Sequence, residues 1–144
     1  MIQQWHKVNQ ASPAKLQRGL DIVRIGVALI ILIHPLHGYT HPANIPLFGE
    51  FLTELGYPFG TALAWLVLLV QTASSLALLI NRFIVPACIG HIVVICFGLV
   101  HVHAQNGWYV VGAGQGGMEW GFILLSSLLG VMWAYWPQRD KKDK

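Results

Sequence analysis

The sequence has very little charge, and long stretches of it have no positive charge at all. Only 10% of its 144 residues are Asp, Glu, Lys or Arg, whereas a soluble domain has about 25%. All nine Lys and Arg residues lie before Ile25, at Arg82 or after Pro137. An ordinary soluble domain is therefore excluded, and a membrane protein is predicted.

Cysteine is also scarce, which argues against thiol redox chemistry. The two cysteines, Cys88 and Cys96, lie within one predicted helix, about 12 Å apart along its axis and about 80° apart around it. They cannot form a disulfide with each other on a straight helix. No Cys-x-x-Cys motif occurs, so we expect both side chains to be buried packing thiols.

Four long apolar runs separate the positive residues, at residues 20–39, 61–80, 83–100 and 118–136. Each has roughly 18–20 residues, about what a helix rising ~1.5 Å per residue needs to cross a bilayer. The connection at Asn81 and Arg82 is short and the other two are long. These lengths predict an all-α integral membrane four-helix bundle with up-down topology.

The positions of Lys and Arg predict the orientation of these helices, because positive residues mark the cytoplasmic side of a membrane. We expect a cytoplasmic segment at residues 1–19, a membrane domain at 20–137 and a basic cytoplasmic tail at 138–144. The predicted location is the cell inner membrane. The net charge of +3 is carried by segments that flank apolar helices, which favours membrane lipid over nucleic acid as the partner.

Local patterns predict the ends of the elements. Ser12 and Pro13 are typical of a helix cap and first turn, whereas Pro35 and Gly38 predict that the first span ends near them. In the first outer loop, Phe48, Phe51, Leu52 and Leu55 fit helical spacing. We therefore expect a short amphipathic helix on the outer face.

Histidine is the unusual feature, because five of the seven histidines lie by topology at the outer membrane boundary. They are His34, His37, His41, His101 and His103. Glu119 begins the fourth span at the same depth. This group could bind a divalent transition metal through His34, His37, His101, His103 and Glu119. It could equally hydrogen-bond a quinone and move its protons, or simply face water.

Polar residues within or bordering the spans have structural and functional interpretations. Arg24 is an anchor at the inner edge, aided by Asp21, or makes a structural hydrogen bond between helices, or is a ligand of an anion or a quinone carbonyl. His91, near the middle of the third span, is expected to make a hydrogen bond inside the membrane. Small residues such as Gly90 and Gly98 permit either a monomer or a homo-oligomer.

One motif in the second outer loop is misleading. Residues 112–117 match the spacing G-x-G-x-x-G. The dinucleotide fingerprint requires a preceding strand in a βαβ unit, whereas here a loop between membrane helices precedes it. We expect these glycines to let the loop fold back tightly over the helices.

Several short motifs resemble the DoxX family, in order and spacing, over residues 20–137. They are Arg24-Ile25-Gly26, His37-Gly38, Phe51-Leu52, Leu55-Gly56-Tyr57-Pro58, Asn106-Gly107-Trp108-Tyr109 and Gly116-Gly117-Met118-Glu119-Trp120. One position departs from the family pattern, since many relatives carry a glutamate in the second span where this chain offers Gln71.

The resemblance implies quinone traffic, because the family is similar to the membrane subunits of thiosulfate:quinone oxidoreductase and of an archaeal terminal quinol oxidase. It implies catalytic roles for His37, His101 and Glu119. Cofactor-binding roles fall to Arg24 and His34, with Trp108 and Trp120 as walls that stack on a ring. Some relatives are similar to partners of thiol or oxidative-stress enzymes.

Three functions follow as hypotheses. The first is a quinone-linked redox subunit, which takes electrons through a redox partner subunit because the sequence has no haem, flavin or iron–sulfur motif. The second is a membrane protein that binds or handles a metal with the outer histidines. The third is a non-catalytic scaffold for a redox or stress enzyme.

Overall fold

The computed structural model describes residues 12–112 and 115–137, and within these ranges the chain is helical without any strand. The helices are α1 (Pro13–Thr40), α2 (Asn44–Glu54), α3 (Gly60–Leu79), α4 (Ile84–Gly98) and α5 (Glu119–Ala134). A π-helical turn at Leu99–His103 and a 3-10 turn at Ala104–Asn106 extend α4. The all-α prediction is confirmed for these residues. Residues 1–11 and 138–144 of the predicted cytoplasmic segments, and 113–114 of the glycine-rich loop, lie outside them.

Three helical segments are long and apolar enough to cross a membrane: Pro13–Thr40, Gly60–Leu79 and Ile84–Asn106, with mean hydropathies of 1.9, 2.0 and 2.2. The fourth apolar run forms the shorter α5, of 16 residues. It begins at Glu119 and ends at Ala134, inside the predicted span 118–136. Tyr135 and Trp136 follow the helix in a turn and a bend. The described residues thus contain three candidate spans and one shorter apolar helix.

Helix α1 begins as expected and ends later than expected. The Ser12 hydroxyl accepts a hydrogen bond from the Lys15 amide at 3.4 Å, and Pro13 occupies the first helical position. The prediction that Pro35 and Gly38 disrupt the helix is wrong, since both lie inside it and it ends at Thr40, two residues after Gly38. Pro35 is buried inside the helix, where apolar packing holds the chain helical despite the missing amide proton.

The core has two parts. The larger lies between α1, α3, α4 and α5 and includes Ile31, Leu78, Cys88 and Leu128, each at most 2% exposed. Cys88 is a buried thiol as predicted, but Cys96 is exposed, because it lies on the outward side of α4.

The smaller part joins α2 to the start of α3, with Ile45 and Leu52 packed near Ala64 and Leu68. This confirms the short helix predicted for the first long loop. Leu55 differs from the prediction: α2 ends at Glu54, and Leu55 follows it at 37% exposed.

Contacts between helices define two ends of the molecule. Arg24 of α1 bonds Leu78 near the end of α3, and Gln17 bonds Tyr135 after α5; we name this the Arg24 end. At the other end, Tyr57 precedes α3 and bonds His101. Gly121 near the start of α5 lies against Leu99. This second end, the His101 end, carries most of the residues nominated from the sequence.

Candidate functional site

Among the nominated histidines, His101 contacts both a side-chain hydroxyl group and aromatic rings. It lies in the π-helical turn after α4, a distortion that is frequent at functional sites. Its Nε2 atom is 3.1 Å from the Tyr57 hydroxyl, and both side chains are half-buried. Tyr57 reaches this position because its amide bonds the Leu52 carbonyl in the turn after α2. The segment before α3 therefore supplies the partner of a residue after α4.

Aromatic rings surround this hydrogen bond. The centroid of the Phe97 ring lies 4.4 Å from that of His101 and 4.9 Å from that of Tyr57. The Tyr57 and His101 rings meet edge to face at 5.7 Å. Phe97 is one helical turn before His101, so both side chains lie on the same side of the helix. The result is a polar pair set in an apolar, ring-lined surface, which we call the His101 triad (Tyr57, Phe97, His101).

Two other nominated residues at this end have backbone partners of their own. His103 Nδ1 is 2.6 Å from the Gly116 carbonyl oxygen. Glu119 Oε2 accepts a hydrogen bond from the Val110 amide at 3.3 Å. Both contacts fasten the loop between α4 and α5, and neither joins these residues to His101. Glu119 is the first residue of α5, where a carboxylate complements the positive helix end.

The loop itself folds back as its glycines predicted. The amides of Gly117 and Met118 donate to the carbonyls of Tyr109 and Gly107, at 3.2 and 3.0 Å. This arrangement brings Trp108 over α5, with its ring 5.6 Å from that of Phe122. Trp120 points outward and is 58% exposed. The two tryptophans nominated as ring-stacking walls thus stay partly accessible at the His101 end.

His34 and His37 lie on α1 and are exposed. His37 stacks on His41, with ring centroids 4.2 Å apart and planes 25° from parallel, and His41 Nδ1 lies 3.1 Å from the His37 carbonyl oxygen. Sequence reasoning missed this pair because it expected Pro35 and Gly38 to disrupt the helix before the turn that joins His37 to His41. The four-residue spacing was the available signal.

The nominated metal ligands are not gathered at one point. Within residues 12–112 and 115–137, no group of three or more His, Cys, Asp or Glu side chains is arranged to hold a metal ion. Of the outer histidines, His101 instead bonds a tyrosine, His103 bonds a carbonyl group, and His37 and His41 stack on each other.

Arg24 lies at the opposite end and is 5% exposed. Its guanidinium donates to the Leu78 carbonyl of α3 and forms an ion pair with Asp21 at 3.1 Å. Leu78 belongs to the last turn of α3, whose carbonyls lack partners within the helix. Asp21 also accepts from Gln17 and Tyr135. Arg24 therefore joins α1 to α3, as in the interpretation that gave it a structural role.

A second buried polar contact lies between α3 and α4. His91 and Ser75 are both fully buried, and His91 Nε2 is 3.2 Å from the Ser75 hydroxyl. Gly90 lets the helices approach, since a Cβ there would lie 2.8 Å from the Ser74 hydroxyl. The hydrogen bond expected for His91 is confirmed, and its partner is Ser75.

The family model for DoxX matches residues 19–104, which is more than half of the 144 residues. This chain belongs to the DoxX family. The match begins in α1 and ends one residue after the π-helical turn, so the DoxX match includes Arg24, His34, His37 and His101. Glu119, Trp108 and Trp120 lie beyond it.

Family membership and three long apolar helices together make this DoxX protein a membrane protein. Comparison with curated proteins and comparison with solved structures each found no match.

Proposed function

We propose that this DoxX protein is a quinone-linked redox subunit and that the quinone headgroup binds at the His101 triad. The observation that carries the proposal is the hydrogen bond of 3.1 Å between His101 and Tyr57, set against the Phe97 ring. A quinone has a flat apolar ring with a hydrogen-bonding oxygen at each end. A polar pair on an aromatic surface matches that chemistry.

The roles of the residues follow from their hydrogen-bonding capacity. A neutral imidazole can accept the proton of a quinol hydroxyl, and the Tyr57 hydroxyl can donate to a quinone carbonyl. Phe97 packs against the ring of the substrate. Oxidation of a quinol to a quinone releases two protons and two electrons. His101 takes one proton and Glu119, at the start of α5, offers a second acceptor, while the electrons pass to a redox partner subunit.

The proposal includes a topology. Four helices, α1, α3, α4 and α5, run up and down as a bundle in the inner membrane, with both termini in the cytoplasm. The absence of Lys and Arg from residues 25–81 and 83–138 supports this orientation. So does the contact between Gln17 and Tyr135 at 3.0 Å, which joins the beginning of α1 to the end of α5. The His101 end then faces outward.

Quinone binding by the intact chain tests the proposal without needing the partner. The chain is reconstituted in lipid nanodiscs, and binding of ubiquinone and menaquinone is measured by labelling with a photoreactive quinone. His101→Ala should weaken binding about tenfold, the equivalent of the roughly 1.4 kcal/mol of a lost hydrogen bond. Tyr57→Phe keeps the ring and should weaken it several-fold.

His41→Ala is the matched control, because His41 is an exposed histidine whose ring stacks on His37 and which has no contact with the His101 triad among the described residues. Its binding should equal that of the parent. Unchanged quinone binding in both His101→Ala and Tyr57→Phe would reject the site. Metal content is measured on the same samples. If the parent chain bound a metal and no quinone, and His101→Ala lost that metal, the site would be a metal site instead of a quinone site.

A further inference from the structure

A groove of about 700 Å³ lies between α1 and α5 at the Arg24 end. Gly19 and Val23 line it from α1, Ser127 and Gly130 line it from α5, and Lys15 stands at one end. It lies at the opposite end of the molecule from the His101 triad and shares no lining residue with it. We call it the α1–α5 groove.

Small residues create the groove. A Cβ atom added at Gly19 or at Gly130 would meet no atom within 4 Å. The two helices are joined beside it by polar contacts, since the Gln17 amide donates to the Tyr135 hydroxyl at 3.0 Å. From Lys15 to Val23 the groove follows nine residues of α1, a length of about 12 Å. Its walls are mostly apolar, apart from the serine hydroxyls.

The end of the groove is positively charged. Arg18, three residues after Lys15, is also exposed. Asp21 is engaged by Arg24 at 3.1 Å, and that pair is the only ion pair found within the described ranges. Asp21, the carboxylate closest to Lys15 in sequence, therefore forms its ion pair with Arg24 and not with Lys15.

Aromatic residues indicate the depth of this end in a bilayer. The contact with Gln17 puts the end of α5 beside the first turns of α1. Trp133 and Trp136 are 84% and 54% exposed there, as is typical of side chains at the level of lipid headgroups. Lys15 therefore lies at headgroup depth, while Val23 lies toward the hydrocarbon.

We propose that the α1–α5 groove binds one anionic phospholipid, with its phosphate at Lys15 and an acyl chain between Gly19 and Gly130. A lipid of this kind has a negative headgroup, which matches the positive charge at the Lys15 end of the groove. Its apolar acyl chain matches the apolar walls farther along the groove. A second copy of the chain would fill the apolar part and would supply no phosphate for Lys15.

Native mass spectrometry of the delipidated full chain, after adding back vesicles of phosphatidylglycerol or phosphatidylcholine, measures the bound lipid. Gly130→Leu should fill the groove from α5 and remove the bound lipid, and Gly19→Leu should do so from α1. Lys15→Gln should reduce the preference for phosphatidylglycerol about fivefold, the equivalent of the roughly 1 kcal/mol that one basic residue contributes at an anionic surface.

Gly98→Leu is the matched control, because Gly98 is also a helical glycine with no atom within 4 Å of an added Cβ and it lies outside the groove. It should bind lipid like the parent. Retention of lipid in both Gly130→Leu and Gly19→Leu overturns the proposal, and so does a parent chain that binds neither lipid. A shift from dimer to monomer in these variants without loss of lipid would assign the groove to a second copy. Competition by free phosphate would also overturn it, because a headgroup contact alone would then explain binding.

Discussion

His91 of α4 and Ser75 of α3 form a hydrogen bond of 3.2 Å at a place where neither residue is exposed at all. Burial makes the bond consequential, because a polar group without a partner in an apolar interior costs free energy that an exposed one does not. The second ring nitrogen, His91 Nδ1, has no partner among the described residues. The Ser75 hydroxyl therefore provides the one hydrogen bond that the described structure gives this imidazole.

Ser75→Ala should lower the free energy of unfolding by about 1 kcal/mol, since it leaves a buried imidazole without that hydrogen bond. The double variant Ser75→Ala/His91→Leu should lose less than the sum of the two single variants, because neither partner is then stranded. Unfolding by SDS titration measures both. Ser126→Ala is the control, as this serine is exposed and bonds only its own helix. Strict additivity would contradict a direct bond.

Arg24→Ala should lower the free energy of unfolding by about 2–3 kcal/mol, the range for buried hydrogen bonds of a charged group. The substitution removes the donor to the Leu78 carbonyl and leaves Asp21 without its ion pair. Asp21→Asn should cost less, because Asp21 is 36% exposed and solvent screens its charge. SDS titration again provides the measurement, with the exposed Arg82→Ala as control. If Arg24→Ala and Arg82→Ala unfolded alike, Arg24 would be a surface anchor.

Gly49→Ala should loosen α2 from α3. A Cβ at Gly49 would lie 2.6 Å from the Thr61 Cα atom, and backbone cannot move aside as a flexible side chain can. The expected loss is about 1–3 kcal/mol, with faster proteolysis between residues 41 and 59. Gly98→Ala, where the added methyl group meets no atom, should be neutral. Equal proteolysis rates in the two variants would show that α2 does not depend on this close approach.

The proposed orientation predicts which positions are reachable from outside the cell. In a chain with Cys88→Ala and Cys96→Ala, a cysteine placed at the exposed Gln105 should react with a membrane-impermeant maleimide in intact cells. A cysteine placed at Arg82 should react only after permeabilisation, because positive residues stay on the cytoplasmic side. The reverse labelling pattern would invert the topology and put the His101 end in the cytoplasm.

Elements whose signal is local could be predicted from the sequence. The spacing of Phe48, Phe51 and Leu52 predicted α2, and Ser12 with Pro13 predicted the beginning of α1, because caps and amphipathic faces depend on neighbours within a turn or two. The effect of Pro35 on α1 was predicted wrongly, because the helix continues through it. Pro35 weakens a helix locally, but its burial against other helices outweighs the lost hydrogen bond, and no local pattern contains that information.

The candidate site was predictable only in part. Depth along each helix follows from counting residues, so His101, His103 and Glu119 could be assigned to one level. Their partners could not, since Tyr57 lies 44 residues before His101 in the chain and Gly116 lies 13 residues after His103. A shared level therefore suggested a single cluster, whereas the structure gives these three residues separate partners.

By itself, the sequence determined that this is a helical membrane protein, because the lengths of the apolar runs and the scarcity of charge can be read directly from it, and its short motifs indicated the DoxX family. The tertiary structure decided which polar residues meet: Arg24 with Leu78, His91 with Ser75, and His101 with Tyr57. The physical reason is that helix length and hydropathy are properties of a segment. A hydrogen bond between segments depends instead on how the helices rotate and slide against each other when their side chains pack.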